Sequence, residues 1–168
     1  MVTGSGGNVS IRVEDTILIT PSGFALGSLK THDISELRLD GECITGQKPS
    51  KETPFHLAIY NQLPEIKAII HTHSFYSVCV GLIAQESNSQ DIIPAYTPSF
   101  VMKVGRVPLV PFKTPGSSEL SQAITTTFLE YRSNALLLQN HGLVTVDNNL
   151  RDALNICLLY TSPSPRDS

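Results

Sequence analysis

Two histidines one residue apart, His71 and His73, follow the extended stretch 67–70. In an extended segment residues i and i+2 point to the same face, so two imidazoles converge on one point, as a metal ion requires. A third nitrogen would complete the kind of site that leaves one coordination position open for chemistry. His141 is the candidate: the apolar stretches 135–139 and 143–146 flank it, and Gly142 beside it permits a tight backbone. An isolated His-x-His also arises by chance on surfaces, but here apolar strands lead into both positions. Glu52 is the carboxylate placed to join the three. It opens a helical stretch after Lys48-Pro49-Ser50-Lys51, where an acid serves the helix dipole equally well. His56, one turn further on the same face, reads as a partly buried histidine bonded to its neighbours.

Two loops could hold an anion. Gly6-Gly7-Asn8 and Ser22-Gly23 are small residues whose backbone N–H groups can approach a phosphate closely. Ser50 and Lys51 add a hydroxyl, a charge and the N–H groups of a helix start. Neither loop matches the P-loop or the dinucleotide fingerprint, which argues against a nucleotide ligand.

These residues must be held by a fold, and the composition says which kinds are open. The chain has 168 residues, 40% hydrophobic and 16% charged, which suits one domain with a real core and excludes general disorder. Twelve Lys+Arg against fifteen Asp+Glu give a net charge of -3, not the basic footprint of a nucleic-acid binder. No apolar run approaches the roughly 20 residues of a membrane span. Three scattered cysteines, and a start that lacks the basic and apolar parts of a leader, fit a reducing cytoplasm.

The stretches 9–13 and 16–19 read as a hairpin around Glu14-Asp15, and 37–44 as a second one around Asp40-Gly41. Helical spacing covers 52–63, 75–83, 118–131 and 149–159, with Pro64 stopping the first. Strands are expected at 67–70, 107–112, 135–139 and 143–146. Pro108 and Pro111 put the second of these at a sheet edge. The alternation predicts a layered α/β domain around a mixed sheet. After Tyr160 the composition changes abruptly, and Pro163 and Pro165 cannot continue a helix.

Taken together, the segments resemble the class II aldolase/adducin family. Gly7-Asn8-Val9-Ser10, Ile19-Thr20-Pro21-Ser22-Gly23, Lys48-Pro49-Ser50-Lys51-Glu52, His71-Thr72-His73-Ser74 and Gln139-Asn140-His141-Gly142-Leu143 stand in the family's order and spacing. The resemblance implies a three-layer α/β/α fold with a central mixed β-sheet and a homotetramer with sites between subunits. It makes His71, His73 and His141 the metal ligands, with Glu52 the acid/base carboxylate and a possible fourth ligand. Gly7, Asn8, Ser22, Gly23 and Ser50 become the phosphate contacts, with Lys51 beside them. The expected cofactor is one divalent ion, zinc ahead of manganese or cobalt. Within the family, ribulose-phosphate 4-epimerases carry Asp at the Glu52 position, and fuculose-phosphate aldolases carry a second Ser at that of Lys51. The segment 93–105, with Pro108-Leu109-Val110-Pro111-Phe112 after it, resembles the branch that decarboxylates 3-oxo-tetronate 4-phosphates, though that branch often has Tyr where Phe100 stands. The expected reaction is metal-dependent decarboxylation of such a sugar acid to dihydroxyacetone phosphate and CO2 through an enediolate. A sugar-phosphate aldolase of the fuculose-phosphate kind or a ribulose-phosphate 4-epimerase is the alternative, and a non-enzymatic adducin-like binding module comes last. Residues 1–159 are expected to form this domain without the family's first helix and C-terminal segment, and 160–168 an unstructured, non-native tail.

Overall fold

The computed structural model describes residues 6–84, 92 and 105–161. β1 (Asn8–Val13) and β2 (Thr16–Ile19) form the expected hairpin, with Glu14 at the turn in the left-handed region. β3 (Ser35–Arg38) and β4 (Cys43–Thr45) form the second hairpin, with a register shift at Glu36/Leu37. α1 (Thr53–Gln62) starts with a proline in its first turn and ends before Pro64. β5 (Ala68–Thr72) is buried along its whole length and leads directly to His73. Ser74 then caps α2 (Phe75–Ile83), its side chain accepting the Ser77 N–H.

β6 (Leu109–Val110) is shorter than expected, because Pro108 and Pro111 remove two ladder donors, and it does lie at a sheet edge. α3 (Ser118–Tyr131) matches its spacing and ends on Arg132 in the left-handed region. β7 (Ala135–Leu138) and β8 (Gly142–Asp147) flank the His141 turn, and α4 (Leu150–Thr161) follows. α4 runs two residues past Leu159; what lies beyond Thr161 is outside the described residues, as are 93–104 with Phe100.

The strands form one eight-stranded sheet in the order β4-β3-β2-β1-β5-β8-β7-β6. Among the described residues only β6 and β7 pair in parallel, so the sheet is mixed, as expected. Side chains alternate between two cores. Ile69 on β5 joins Phe55, Ile59 and Tyr60 of α1 and Leu120, Ile124 and Phe128 of α3 on one face. Its neighbours Ala68 and Ile70 join Ala153, Ile156 and Cys157 of α4 on the other. Each fully buried aliphatic or aromatic side chain contributes about 1.5–3 kcal/mol to holding the layers together. The three-layer α/β/α fold is therefore present, and β5, with its histidines, lies at its centre.

Candidate active site

β5 is bordered by β1 and β8, and the ends of these three strands make the site. Asn8 pairs with His71, and Thr72 pairs with Leu143. Glycines are needed at both borders. A Cβ on Gly7, whose φ is +94°, would overlap the His71 carbonyl oxygen. A Cβ on Gly142 would overlap that of Thr72. The close approach lets His141, in the turn before β8, reach the histidines of β5.

His71, His73, His141 and Glu52 each direct one ligand atom into a common space, all four atoms within 4.8 Å of one another. The Nε2 atoms of His71 and His73 are 2.8 Å apart. Glu52 Oε2 is 3.2 Å from His71 Nε2, and Glu52 Oε1 is 2.9 Å from His141 Nε2. His71 is fully buried, and His141 and Glu52 nearly so, while His73 is partly open to solvent. The Nδ1 of His71 lies 2.9 Å from the Leu143 carbonyl oxygen, which can only accept. His71 therefore carries its proton on Nδ1 and turns its Nε2 lone pair to the cluster, the orientation a metal ligand needs.

Among the described residues Glu52 Oε1 and both ring nitrogens of His141 lack a directed hydrogen bond, although buried. Buried polar atoms without a well-directed partner are costly, and here they belong to a set of three imidazoles and one carboxylate. That donor set suits a divalent ion with an open position. Burial pushes the Glu52 carboxyl up, but the adjacent His141 and His71 outweigh it and hold it well below the usual carboxylate range. Burial, helped by the neighbouring imidazoles, lowers His73 from 6.5 to about 4, which keeps it neutral.

The cluster opens on a cavity of about 270 Å³. Glu52, His73 and His141 line it together with Gly7, Asn8, Ser22, Gly23, Ser50 and Lys51. The structure thus brings every residue assigned from the sequence to one place. The Ser22-Gly23 loop is drawn against Ser50 by a bridge between Pro21 and Pro49 and by the Ser22 N–H donating to the Lys48 carbonyl. Ser50 accepts the Glu52 N–H through its hydroxyl, and Glu52 stands at the N-cap of α1 rather than inside its first turn. Its side chain makes no cap hydrogen bond and is released toward the histidines.

Asn8 has a part that spacing did not suggest. Its amide N–H donates to Glu52 Oε2 at 2.8 Å, and its carbonyl oxygen meets His56 Nε2. His56 is fully buried, deeper than expected, and bonds Ser10 as well. Ser10 and Tyr60 complete this inner group and were missed from the sequence. The available signal was polar residues at i and i+2 on β1 facing polar residues at i and i+4 on α1.

The family described as Class II Aldolase and Adducin N-terminal domain matches residues 1–161. A 3-oxo-tetronate 4-phosphate decarboxylase of Pectobacterium atrosepticum is 45% identical over 152 residues, 90% of this chain and 68% of its own. An L-fuculose phosphate aldolase of Methanocaldococcus jannaschii is 38% identical over 90% of this chain and 78% of its own. A solved structure of Escherichia coli YgbL, titled a putative aldolase/epimerase/decarboxylase, superposes with a TM-score of 0.86. It is 38% identical and covers 95% of this chain and 76% of that one.

Proposed function

This chain belongs to the class II aldolase and adducin N-terminal domain family, and we propose that it decarboxylates a 3-oxo-tetronate 4-phosphate to dihydroxyacetone phosphate and CO2. The observation that carries this reading is the single cavity in which the Glu52 and histidine cluster meets the anion loops and Lys51. A substrate with a phosphate at one end and a carboxylate at the other rewards both the loops and the extra cation.

His71, His73 and His141 would hold a divalent ion, with Glu52 at the fourth position or beside it. When bound, the ion supplies Lewis-acid stabilisation of the charge that develops on the substrate. Breaking the C1–C2 bond releases CO2 and leaves the electron pair shared between C2 and the C3 oxygen. Held ionised by His141 and His71, Glu52 starts as a base, takes the C2 hydroxyl proton and returns it to C2 after CO2 has left. Solvent reprotonates the C2 oxygen. The backbone N–H groups at Gly7 and Gly23, with the Ser22 and Ser50 hydroxyls, orient the phosphate so that C2 stays within reach of Glu52.

Zinc is the ion proposed, on the strength of the imidazole-rich donor set, with manganese and cobalt as the alternatives that metal analysis of the purified protein separates. Assembly into a homotetramer is supported by Phe75 and Tyr76, exposed at the start of α2 next to the site, and native mass spectrometry tests it. A cytoplasmic location is supported by Cys43, Cys79 and Cys157, which form no disulfide.

Retro-aldol cleavage of a sugar phosphate is the second reading, favoured by the 38% identity to an L-fuculose phosphate aldolase. Incubating the metal-loaded protein with 3-oxo-tetronate 4-phosphate, and separately with L-fuculose 1-phosphate, decides between them. Release of CO2 with triose phosphate is expected. Aldehyde from the second substrate with no CO2 from the first would overturn the decarboxylase reading.

A further inference from the structure

From Asn8 on the cavity wall beside Glu52, a line of polar side chains runs into an otherwise apolar core. Asn8 and Ser10 project from β1 on the face that meets α1, and His56 and Tyr60 project from α1 one turn apart. All four are buried, none more than 3% exposed. Tyr60 Oη is 2.9 Å from Ser10 Oγ, which is 2.7 Å from His56 Nδ1. His56 Nε2 meets Asn8 Oδ1, and Asn8 Nδ2 is 2.8 Å from Glu52 Oε2. Such a group is destabilising unless its atoms are paired, and here they pair with one another.

The direction of every bond follows from the last one. An ionised carboxylate can only accept, so Asn8 must present its N–H to Glu52 and its oxygen to His56. His56 must then donate from Nε2, which leaves Nδ1 as an acceptor for the Ser10 hydroxyl. Ser10, having given its only proton, must accept from Tyr60. One tautomer of His56 satisfies the whole line, and burial supports it by lowering the imidazole from 6.5 to about 3, so the ring stays neutral.

We infer that Tyr60, Ser10, His56 and Asn8 form a one-directional donor chain that fixes the position of the Glu52 carboxylate, with His56 as its central positioning residue. The chain is not a proton path, because the Asn8 amide cannot pass a proton from one side to the other. Its work is orientation: Glu52 has to face both the histidine cluster and the substrate's C2, and a misplacement of about 1 Å can cost on the order of 100-fold in rate. This rests on the reading of Glu52 as proton carrier.

The test uses the full chain loaded with a divalent ion and has two arms. In the first, 15N NMR of the imidazoles reads the tautomer of His56 in the unsubstituted protein, whether or not any substrate is turned over. A neutral ring protonated on Nε2 is expected, and protonation on Nδ1 would overturn the chain. The second arm compares His56→Leu, His56→Gln and Tyr60→Phe. In His56→Leu, kcat should fall about 10–100-fold, as outer partners of a metal site commonly require, with KM and bound metal unchanged. His56→Gln, which can return an N–H toward Asn8, should recover most of the loss, and Tyr60→Phe, two bonds further away, should lose least. Equal losses in the Leu and Gln variants, or no loss in either, would overturn the inference. Should His56→Leu fail to fold, the tautomer and the Tyr60→Phe rate still decide. An unsubstituted protein that turns over neither substrate, yet shows the Nε2–H tautomer, would refute the proposed function and leave the chain standing.

Discussion

At the inner end of the cavity, Glu52, His71 and His141 are buried, and His71 and Glu52 are each held by a partner behind them, the Leu143 carbonyl or the Asn8 amide. At the outer end, Gly23 and Lys51 are exposed, Ser22 and Ser50 half-buried, and the anchoring is largely backbone to backbone. At the inner end His71 and Glu52 resist displacement, because moving either would orphan a buried polar partner, the Leu143 carbonyl or the Asn8 amide. The outer end offers N–H groups, a hydroxyl and a mobile charge, which can hold a phosphate without fixing it to a fraction of an ångström. Bond-making should therefore be sensitive to small changes inside, and affinity to larger ones outside.

The largest effect expected is at His73. His73→Ala should lose both bound metal and turnover, read by metal analysis and rate together; a metal-free variant with full activity would remove the histidines from the site. Next comes Glu52→Gln, which keeps three nitrogen ligands but cannot carry a proton. Its kcat should fall about 10²–10⁴-fold with metal retained, and an unchanged rate would take Glu52 out of the reaction. Gly7→Ala probes the seam between the two ends. Its positive φ alone costs about 1–3 kcal/mol with a side chain, and the overlap with the His71 carbonyl adds to it. Denaturant unfolding reads the loss directly.

Outside, Lys51→Ala should raise KM about fivefold with little change in kcat, the worth of roughly 1 kcal/mol for an exposed charge. High salt should shrink the difference. A fall in kcat instead would mean that the outer end also shapes the reacting carbon. The one effect absent at neutral pH is acid sensitivity of the metal-free protein. Buried His56 and half-open His73 titrate at 6.5 when unfolded but at about 3 and about 4 when folded. Below pH 6.5 the unfolded chain binds more protons, so stability is complete above that value and declines as pH falls toward 4 and beyond. Glu52, depressed in the fold, adds a loss of the same sign below 4.5. Thermal melts across pH 3–7 read the slope, and a flat profile would show that these groups are solvated.

Much of this arrangement was legible in the sequence because local rules agree with the fold. The α3 boundaries follow from helical spacing, and the edge place of β6 from its prolines. His71 and His73 share a face for the period-2 reason given by their spacing. What the sequence hid depends on which elements face each other. Glu52 stands at the N-cap with its N–H taken by the Ser50 hydroxyl, an arrangement of the loop before α1 that spacing does not show. Asn8 turns inward only because β1 lies beside β5 and under α1, so a residue expected on the phosphate also serves the carboxylate. The burial of His56 could not be read from one helix, since its partners come from a strand distant in sequence.

The place of β5 between β1 and β8 carries one more consequence, for the order of assembly. Its two neighbours come from far before and far after it in the sequence, so both central pairings are distant contacts, and topologies rich in such contacts fold slowly. Until β8 docks, His71 lacks the carbonyl that sets its proton and His141 is not beside it. A divalent ion added during refolding should therefore be captured in the kinetic phase that docks β8, which makes metal uptake a clock for closure of the sheet's centre.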